Sequence, residues 1–281
     1  MKISLLVSRL HLNNLIYAAV AVAVGLIYFK AGAAPLRYSI VNLATLIAGT
    51  ILVLFIDPKA WSLRFTNVLI VFVGTLLLMV GTWGISMQGA SRWLSFGNLI
   101  IEPSMMLLPL AVILFARNQN VFSTFGIILS ACGVALQPDR SMAATLCISI
   151  LALLLVKRNK WIAMASSAAV IALGITLNRP DYVSPAPFVE KVFDSAFSFN
   201  PFFGIIVTIA AALLLLPAAG GIINSKGEQK TIHLAFAGVW LTLFVAAVIG
   251  NYPTPLLGYG CSAILGYLLS LRCLSSFSFS Q

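Results

Sequence analysis

Long apolar runs separated by short polar connectors dominate the sequence. Ten runs can be distinguished, covering residues 14–29, 38–56, 66–84, 104–116, 121–136, 141–156, 161–177, 201–219, 231–250 and 256–271. A run of about 17 to 25 apolar residues is long enough to cross the hydrocarbon core of a bilayer as a helix. The runs are continuous rather than alternating, which favours helices over the strands of a membrane barrel. The pattern predicts an all-α polytopic integral membrane protein with about ten transmembrane helices in one bundle.

Some runs are shorter than a helix exposed to lipid requires. The fourth run, 104–116, also contains Pro109, which fits a helix that is tilted, buried or half re-entrant. Helices in the interior of a bundle can be shorter than those that face lipid, so the prediction is ten spans, with nine as the main alternative. The polar connectors are too short for a soluble domain, so we treat residues 1–281 as a single transmembrane domain.

Composition agrees with this class. Hydrophobic residues make up 60% of the chain and charged residues 9%, with a mean hydropathy of +1.04. Soluble domains carry about 25% charged residues. The net charge of +10 is explained by membrane topology and attraction to anionic membrane lipid, rather than by binding of nucleic acid.

The distribution of basic residues predicts the orientation. With ten spans both termini lie on one side, and that side receives Lys2, Arg9, Lys59, Arg64, Arg117, Lys157, Arg158, Lys160, Lys226, Lys230 and Arg272. The other side receives fewer: Lys30, Arg37, Arg92, Arg140, Arg179 and Lys191. The excess of Lys and Arg in cytoplasmic loops then places both termini in the cytoplasm.

Four polar connectors fall on the predicted outer face. They are GASRWLSFGNLIIEPS (89–104), LQPDRS (136–141), the segment 178–201 and NYPTPLLGYGCSA (251–263). Residues far apart in sequence can form one site in a membrane protein only when they share a side of the bilayer, which these segments do. The four cysteines and two histidines match no metal-binding or redox spacing.

Three of these connectors carry motifs of a known family. GASRWLSFG followed by EPS, Gln137-Pro138-Asp139, and PTPLLGYGCS at the start of the last span occur in the order seen in the shape, elongation, division and sporulation (SEDS) family. The chain resembles this family, which includes RodA, FtsW and SpoVE, over nearly its whole length. The resemblance implies a multi-pass protein of the bacterial cytoplasmic (inner) membrane with a role in cell shape or cell division.

The resemblance also implies a chemistry and its partners. Members of the family polymerise lipid II, an undecaprenyl-linked precursor of peptidoglycan, at the outer face of the membrane, together with a class B penicillin-binding protein that acts as transpeptidase. Glycosyl transfer needs a base for the acceptor hydroxyl, a role that suits a carboxylate. It also needs neutralisation of the departing pyrophosphate, by Arg or Lys or by a divalent cation. No resident cofactor follows from the sequence.

The resemblance assigns roles to eight residues. Glu190 stands where the family has its catalytic Asp, and the expected substrate-binding residues are Arg92, Trp93, Asp139, Arg140, Lys191, Tyr259 and Ser262. The opening connector is expected to form a hairpin that turns Arg92 toward a headgroup phosphate. Asp181 and Asp194 are weaker candidates for the catalytic role assigned to Glu190.

Each assignment has a structural alternative. Arg92 and Trp93 can anchor the chain in the headgroup layer. Asp139 can cap the sixth span. Glu190 can be a solvated carboxylate paired with Lys191, and the glycines around Tyr259 can serve packing alone.

The chain departs from the family in three places. The catalytic Asp is replaced by Glu190, the 178–201 loop is much shorter, and the Glu and Lys of the family's fourth span are Met105 and Leu108. These departures leave a second hypothesis open, a catalytically inactive scaffold or regulator that binds a transpeptidase or a lipid-linked precursor. A transporter of lipid-linked substrates fits less well, because it requires charged residues deep inside several spans.

Overall fold

The chain folds as a bundle of helices with a small sheet at one end. The computed structural model describes residues 2–97, 99–181 and 183–277. The helices are α1 (Lys2–Ala31), α2 (Leu36–Phe55), α3 (Leu63–Trp83), α4 (Pro103–Arg117), α5 (Val121–Leu136), α6 (Arg140–Val156), α7 (Lys160–Leu177), α8 (Val192–Phe199), α9 (Pro201–Leu213), α10 (Leu216–Asn224), α11 (Gly227–Ile249) and α12 (Cys261–Phe277). A 3₁₀ turn at Pro58–Ala60 joins α2 to α3. The predicted class, a helical polytopic membrane protein, is confirmed.

The apolar runs coincide with helices, while the number of spans stays a prediction. Among the described residues, five helices, α1, α2, α3, α7 and α11, are long and apolar enough to cross a membrane. Helices α9 and α10 meet at a bend of 46° and together make a sixth candidate. Helices α4, α5, α6 and α12 are apolar but shorter, so ten spans require these four to cross as well.

The short helix α4 lies at the centre of the bundle. It packs against α3, α11 and α12, and nearly every residue from Met105 to Ala116 is buried. Gly266 of α12 approaches so closely that a Cβ there would lie 2.4 Å from the Met105 carbonyl oxygen. The burial that was one of the possibilities raised for this run is observed, and burial among protein rather than lipid accounts for the short length of the helix.

The first outer connector forms a three-stranded antiparallel sheet, which the all-α prediction does not include. Its strands are β1 (Ile85–Met87), β2 (Ala90–Phe96) and β3 (Leu99–Ile101). Met87 pairs with Ala90 across a tight turn in which Gly89 adopts a positive φ of 88°, a conformation that glycine tolerates without strain. The expected hairpin is therefore present with a third strand added, and it covers the end of the bundle.

The buried side-chain amide of Asn42 holds the irregular segment 251–260, which precedes α12. The Asn42 side chain of α2 donates to the Gly258 carbonyl at 2.9 Å and accepts from the Gly260 amide at 3.1 Å. The Thr254 amide donates to the Val189 carbonyl at 3.0 Å, which joins this segment to the loop before α8. These protein groups satisfy polar backbone atoms that the irregular segment leaves without partners of its own.

The predicted orientation can be tested with exposed positions at the two ends of the bundle. We expect Ser95→Cys and Ser184→Cys to react with a membrane-impermeant maleimide in intact cells, because both residues are exposed at the sheet-bearing end. Lys59→Cys and Arg158→Cys, exposed in the connectors of the opposite end, should react only after permeabilisation. The wild-type chain is the background control because Cys132 is exposed in α5. The reverse labelling pattern would contradict the predicted topology.

Candidate active site

A buried ion-pair cluster lies at the sheet-bearing end of the bundle. The Arg92 guanidinium lies 2.9 Å from an Asp181 carboxylate oxygen and 3.4 Å from an Asp139 oxygen. These residues come from β2, from the loop after α7 and from the start of α6. Three of the four outer connectors are involved, and the Arg92 and Asp139 side chains are only 4% and 0% exposed. The predicted convergence of the connectors is therefore observed.

Arg92 points inward, which corrects the expectation that it faces a headgroup phosphate. Successive side chains of a strand point to opposite faces, and Ala90 and Arg92 occupy the buried face of β2. The guanidinium lies 4.9 Å from the centroid of the Trp93 ring, and Trp93 is half-buried. Burial alone would lower the pKa of Arg92, but the charges of Asp139, Glu102 and Asp181 raise it. Arg92 is therefore a permanent cation held within the protein.

Tyr252 completes the environment of Asp181. Its hydroxyl donates to the second Asp181 carboxylate oxygen at 2.7 Å, and its ring centroid lies 6.0 Å from the Arg92 guanidinium carbon. Burial and the bond to Asp181 raise the pKa of Tyr252, so the phenol stays protonated as a donor. Sequence reasoning missed Tyr252 and treated Asp181 only as a substitute for Glu190. The indicative signal was an Asn-Tyr-Pro connector on the same face as an Asp.

Asp139 both caps a helix and joins the cluster. Its carboxylate accepts from the Met142 amide at 3.0 Å and from the Ser141 hydroxyl at 2.9 Å, which satisfies donors at the start of α6. The predicted capping role is confirmed. Both bonds and the contact with Arg92 use the same oxygen, and the second Asp139 oxygen has no hydrogen-bond partner among the described residues. Asp139 therefore depends on Arg92 for most of its charge compensation.

Glu102 is a second buried acid that sequence reasoning did not assign to the site. It precedes α4, its backbone amide donates to the Ser262 hydroxyl at 2.8 Å, and the Ser104 hydroxyl lies 3.4 Å from its carboxyl group. Burial, assisted by the charge of Asp139, raises the pKa of Glu102 to about 8, while Arg92 opposes the rise. Ser262, predicted as a substrate-binding residue, instead holds the backbone of Glu102.

The raised pKa of Glu102 predicts a pH-dependent stability. The folded chain binds this proton more tightly than the unfolded chain, so stability is greatest below the ordinary pKa of a Glu and is lost as the pH rises towards about 8. We expect Glu102→Gln to reduce the fall in Tm between pH 5 and pH 8, measured by circular dichroism in detergent. Glu228→Gln, at an exposed carboxylate, is the control. If Tm fell equally between pH 5 and pH 8 in Glu102→Gln and Glu228→Gln, Glu102 would not be the source of the pH dependence.

Glu190 lies in the loop before α8 and is held by backbone contacts. Its carboxylate accepts from the Ala186 amide at 2.6 Å, and its backbone forms an isolated antiparallel bridge with Pro253. Burial raises the pKa of Glu190 to about 7, although its bond to Ala186 and the charge of Arg92 oppose the rise. The Lys191 ammonium lies 3.5 Å from Asp194 on the next turn, so the alternative pairing of Glu190 with Lys191 is not observed.

Tyr259 lies beside the loop that carries Glu190. Its ring stacks on Tyr38 with centroids 3.9 Å apart, and its amide donates to the Phe188 carbonyl at 2.7 Å. The guanidinium carbon of exposed Arg37 lies 5.4 Å from the Tyr38 centroid. Aromatic rings and a cation therefore border the loop on the side of α2.

Arg140 makes structural contacts at another helix end. Its guanidinium donates to the carbonyls of Thr176 at 3.2 Å and Arg179 at 2.7 Å, around the end of α7. Arg179 in turn donates to the Ala135 carbonyl at 2.9 Å, near the end of α5. Basic side chains at helix C-termini satisfy carbonyls that lack partners within the helix. The structure brings Arg92, Asp139 and Asp181 together, while Arg140 is directed to this other role.

No metal centre is evident in the part of the chain that the structure describes. Residues 2–97, 99–181 and 183–277 contain no group of three or more His, Cys, Asp or Glu side chains arranged to hold an ion. The acids of the cluster are compensated by Arg92, Tyr252 and amide or hydroxyl donors instead.

The fold and this polar end define a multi-pass helical membrane protein with a covered, charged site at one end. The sequence matches no protein-family model and no curated protein. Its fold is similar to that of the rod shape determining protein RodA of Thermus thermophilus, with a TM-score of 0.65, 16% identity and coverage of 93% of this chain and 94% of that chain.

Two further solved structures have the same fold. An Asp-to-Ala variant of the Thermus thermophilus protein matches with a TM-score of 0.65 and 18% identity, over 93% of this chain and 95% of that chain. A chain from a peptidoglycan synthase complex, whose structure concerns the coordination of polymerization and crosslinking, matches with a TM-score of 0.66 and 17% identity. That match covers 96% of this chain and 98% of the other, so the RodA-like fold extends over nearly the whole molecule.

Proposed function

We propose that the chain is a SEDS-type protein of the bacterial inner membrane that polymerises lipid II at the outer face, with Glu190 as the general base. The motifs in three outer connectors and the RodA-like fold support the family and the general kind of reaction. The site supports the chemistry, because a base must have a pKa near the working pH and a fixed position.

The position of Glu190 is the observation that carries this proposal. Its backbone bridge to Pro253 holds the main chain next to the segment that carries Tyr252, and the bond from the Ala186 amide orients the carboxylate. A pKa of about 7 leaves a substantial fraction of the carboxylate ionised at neutral pH while keeping it basic enough to accept a hydroxyl proton. Glu190 is half-buried rather than enclosed, so an acceptor sugar can reach it from the outer face.

Lys191 and Arg37 are the cations that we assign to the pyrophosphate of the donor. Lys191 directly follows Glu190, and its side chain is 36% exposed and contacts only the exposed Asp194 among the described acids. Arg37 is exposed beside Tyr38 and Tyr259. Arg92 has a different role in this proposal: it is a positioning residue that holds the outer connectors together by its bonds to Asp139 and Asp181.

A catalytically inactive scaffold is the second candidate, and one observation favours it. The buried cluster makes its contacts within the protein, since Arg92 faces two aspartates and Tyr252 donates to one of them. Such a cluster can hold the outer end of a binding protein in place without taking part in chemistry. In this reading the surface around Tyr259 binds a transpeptidase or a lipid-linked precursor.

The experiment that separates the two candidates is a polymerisation assay. We expect the purified full chain, alone or with a class B penicillin-binding protein, to convert labelled lipid II into glycan polymer that is resolved on a gel. Addition of a transpeptidase inhibitor is the control, because it blocks crosslinking and leaves glycan polymer to be scored. Absence of polymer in both preparations, with lipid II bound by the chain, would support the scaffold and contradict the enzyme.

A further inference from the structure

An open cleft lies between α6 and α7 at the end of the bundle opposite the buried cluster. It has a volume of about 480 Å³ and is lined by Leu154, Leu155, Arg158, Asn159 and Ala163. Leu155 is 84% exposed on the last turn of α6. The cleft therefore combines an apolar wall that continues the lipid-facing surface with a basic group at its polar edge.

Arg158 is the charged member of the cleft. It is exposed in the connector between α6 and α7 and forms no ion pair or hydrogen bond with another described residue. Asn159 is occupied by the helix, because its side chain accepts from the Trp161 amide at 2.9 Å as the cap of α7. The guanidinium is thus the group at this edge that is available to a ligand.

The surroundings of Arg158 are strongly basic. The connector reads Lys157-Arg158-Asn159-Lys160, and the sequence from residue 140 to residue 180 contains no Asp or Glu. Lys157 donates to the Gln119 side chain at 2.6 Å, a neutral partner that leaves its charge uncompensated. The Lys160 ammonium lies 4.8 Å from the centroid of Trp161, a residue type that favours the membrane interface.

We propose that this cleft binds an anionic phospholipid of the surrounding leaflet. Arg158 contacts the headgroup phosphate, and an acyl chain lies along Leu154 and Leu155. Basic clefts between membrane helices at a charged interface attract anionic headgroups, while the apolar wall adds contacts that a free phosphate ion cannot make. A zwitterionic phospholipid offers the same chains without the net charge that Lys157 and Lys160 attract.

Native mass spectrometry of the full chain tests the proposal. The protein is purified in detergent and equilibrated with equimolar phosphatidylglycerol and phosphatidylethanolamine of identical acyl composition. We expect the wild type to retain phosphatidylglycerol in preference, and Arg158→Gln to reduce that preference about fivefold, as expected for one basic residue near a membrane surface. Lys226→Gln is the matched control, because Lys226 is an exposed basic residue in the connector between α10 and α11.

Several outcomes would overturn the proposal. Equal retention of both lipids by the wild type would remove the preference, and an unchanged preference in Arg158→Gln would place the site elsewhere. If Lys226→Gln lowered the preference for phosphatidylglycerol as much as Arg158→Gln, the net charge of the protein and not the cleft would explain the preference. Displacement of phosphatidylglycerol by millimolar inorganic phosphate would identify a site for free anions instead. Circular dichroism of each variant verifies its fold, and lipid II polymerisation is a separate readout, so the two proposals can fail independently.

Discussion

Replacing Arg92 with Gln is expected to lower the free energy of unfolding by about 3 to 5 kcal/mol, the typical cost of breaking a buried ion pair by removing one partner. The substitution leaves Asp139 and Asp181 buried and without their cation, since their side chains are 0% and 3% exposed. The ion pairs also join β2 to the start of α6 and to the loop after α7. The loss should therefore appear as lower stability in denaturant titrations of the protein in detergent.

A double-mutant cycle separates the ion pair from a general loss of packing. Asp181→Asn removes one of the two charges that Arg92 compensates, so Arg92→Gln should cost less in that background than in the wild type. Arg64→Gln is the matched control because Arg64 is exposed, and surface substitutions of this kind usually change stability by less than about 0.5 kcal/mol. Equal effects of Arg92→Gln and Arg64→Gln would refute the buried ion pair.

The same cluster illustrates which part of the site the sequence could predict. Arg92, Asp139 and Asp181 stand in connectors predicted to share one membrane face, so the topology allowed their proximity but did not select these three residues. Whether Arg92 points to solvent or to the protein depends on the register of β2, and a two-residue periodicity over so short a segment does not determine it. In the structure Ala90 and Arg92 share the buried face, so the side chain of Arg92 points inward.

Buried polar residues next to apolar runs account for most of what was missed. Asn42 is completely buried within α2 and bonds to the segment before α12, and Glu102 is 7% exposed at the start of α4. In each case the informative signal was a single polar residue bordered by apolar ones, which in a membrane protein indicates a partner on another segment. The partner itself, the Gly258 carbonyl for Asn42, could not be read from the sequence because it depends on the packing of distant helices.

Fold class was more predictable than element detail. Helices were evident from continuous apolar runs. Helix α4 is buried, which was one of the three possibilities raised for that run, and lipid does not set the length of an interior helix. The hairpin of the first outer connector was predicted, but its third strand was not, since strands of three residues such as β1 and β3 are too short for a periodic pattern.

The largest expected effect on activity is that of Glu190→Gln. If Glu190 is the base that accepts the proton of the acceptor hydroxyl, its amide cannot do so, and polymerisation should fall by about 10²- to 10⁴-fold. Asp194→Asn is the matched control, because Asp194 is a carboxylate in the first turn of α8, four residues after Glu190, that is 65% exposed and paired with Lys191. Lipid II binding should be retained in both variants, which distinguishes a chemical defect from loss of the site.

The pH profile provides an independent test of the same role. A base acts in its ionised form, so polymerisation by the wild type should rise with pH through an apparent pKa of about 7 and level off above it. Glu190→Asp should keep the ionisable group but withdraw it by one methylene, and a displacement of roughly 1 Å costs on the order of a hundredfold in rate. Such a variant should retain more activity than Glu190→Gln. Full activity in Glu190→Gln would exclude Glu190 as the base, because a carboxylate that can be neutralised without effect takes no proton. An equal loss in Asp194→Asn would show that the effect is not specific to Glu190, since Asp194 contacts Lys191.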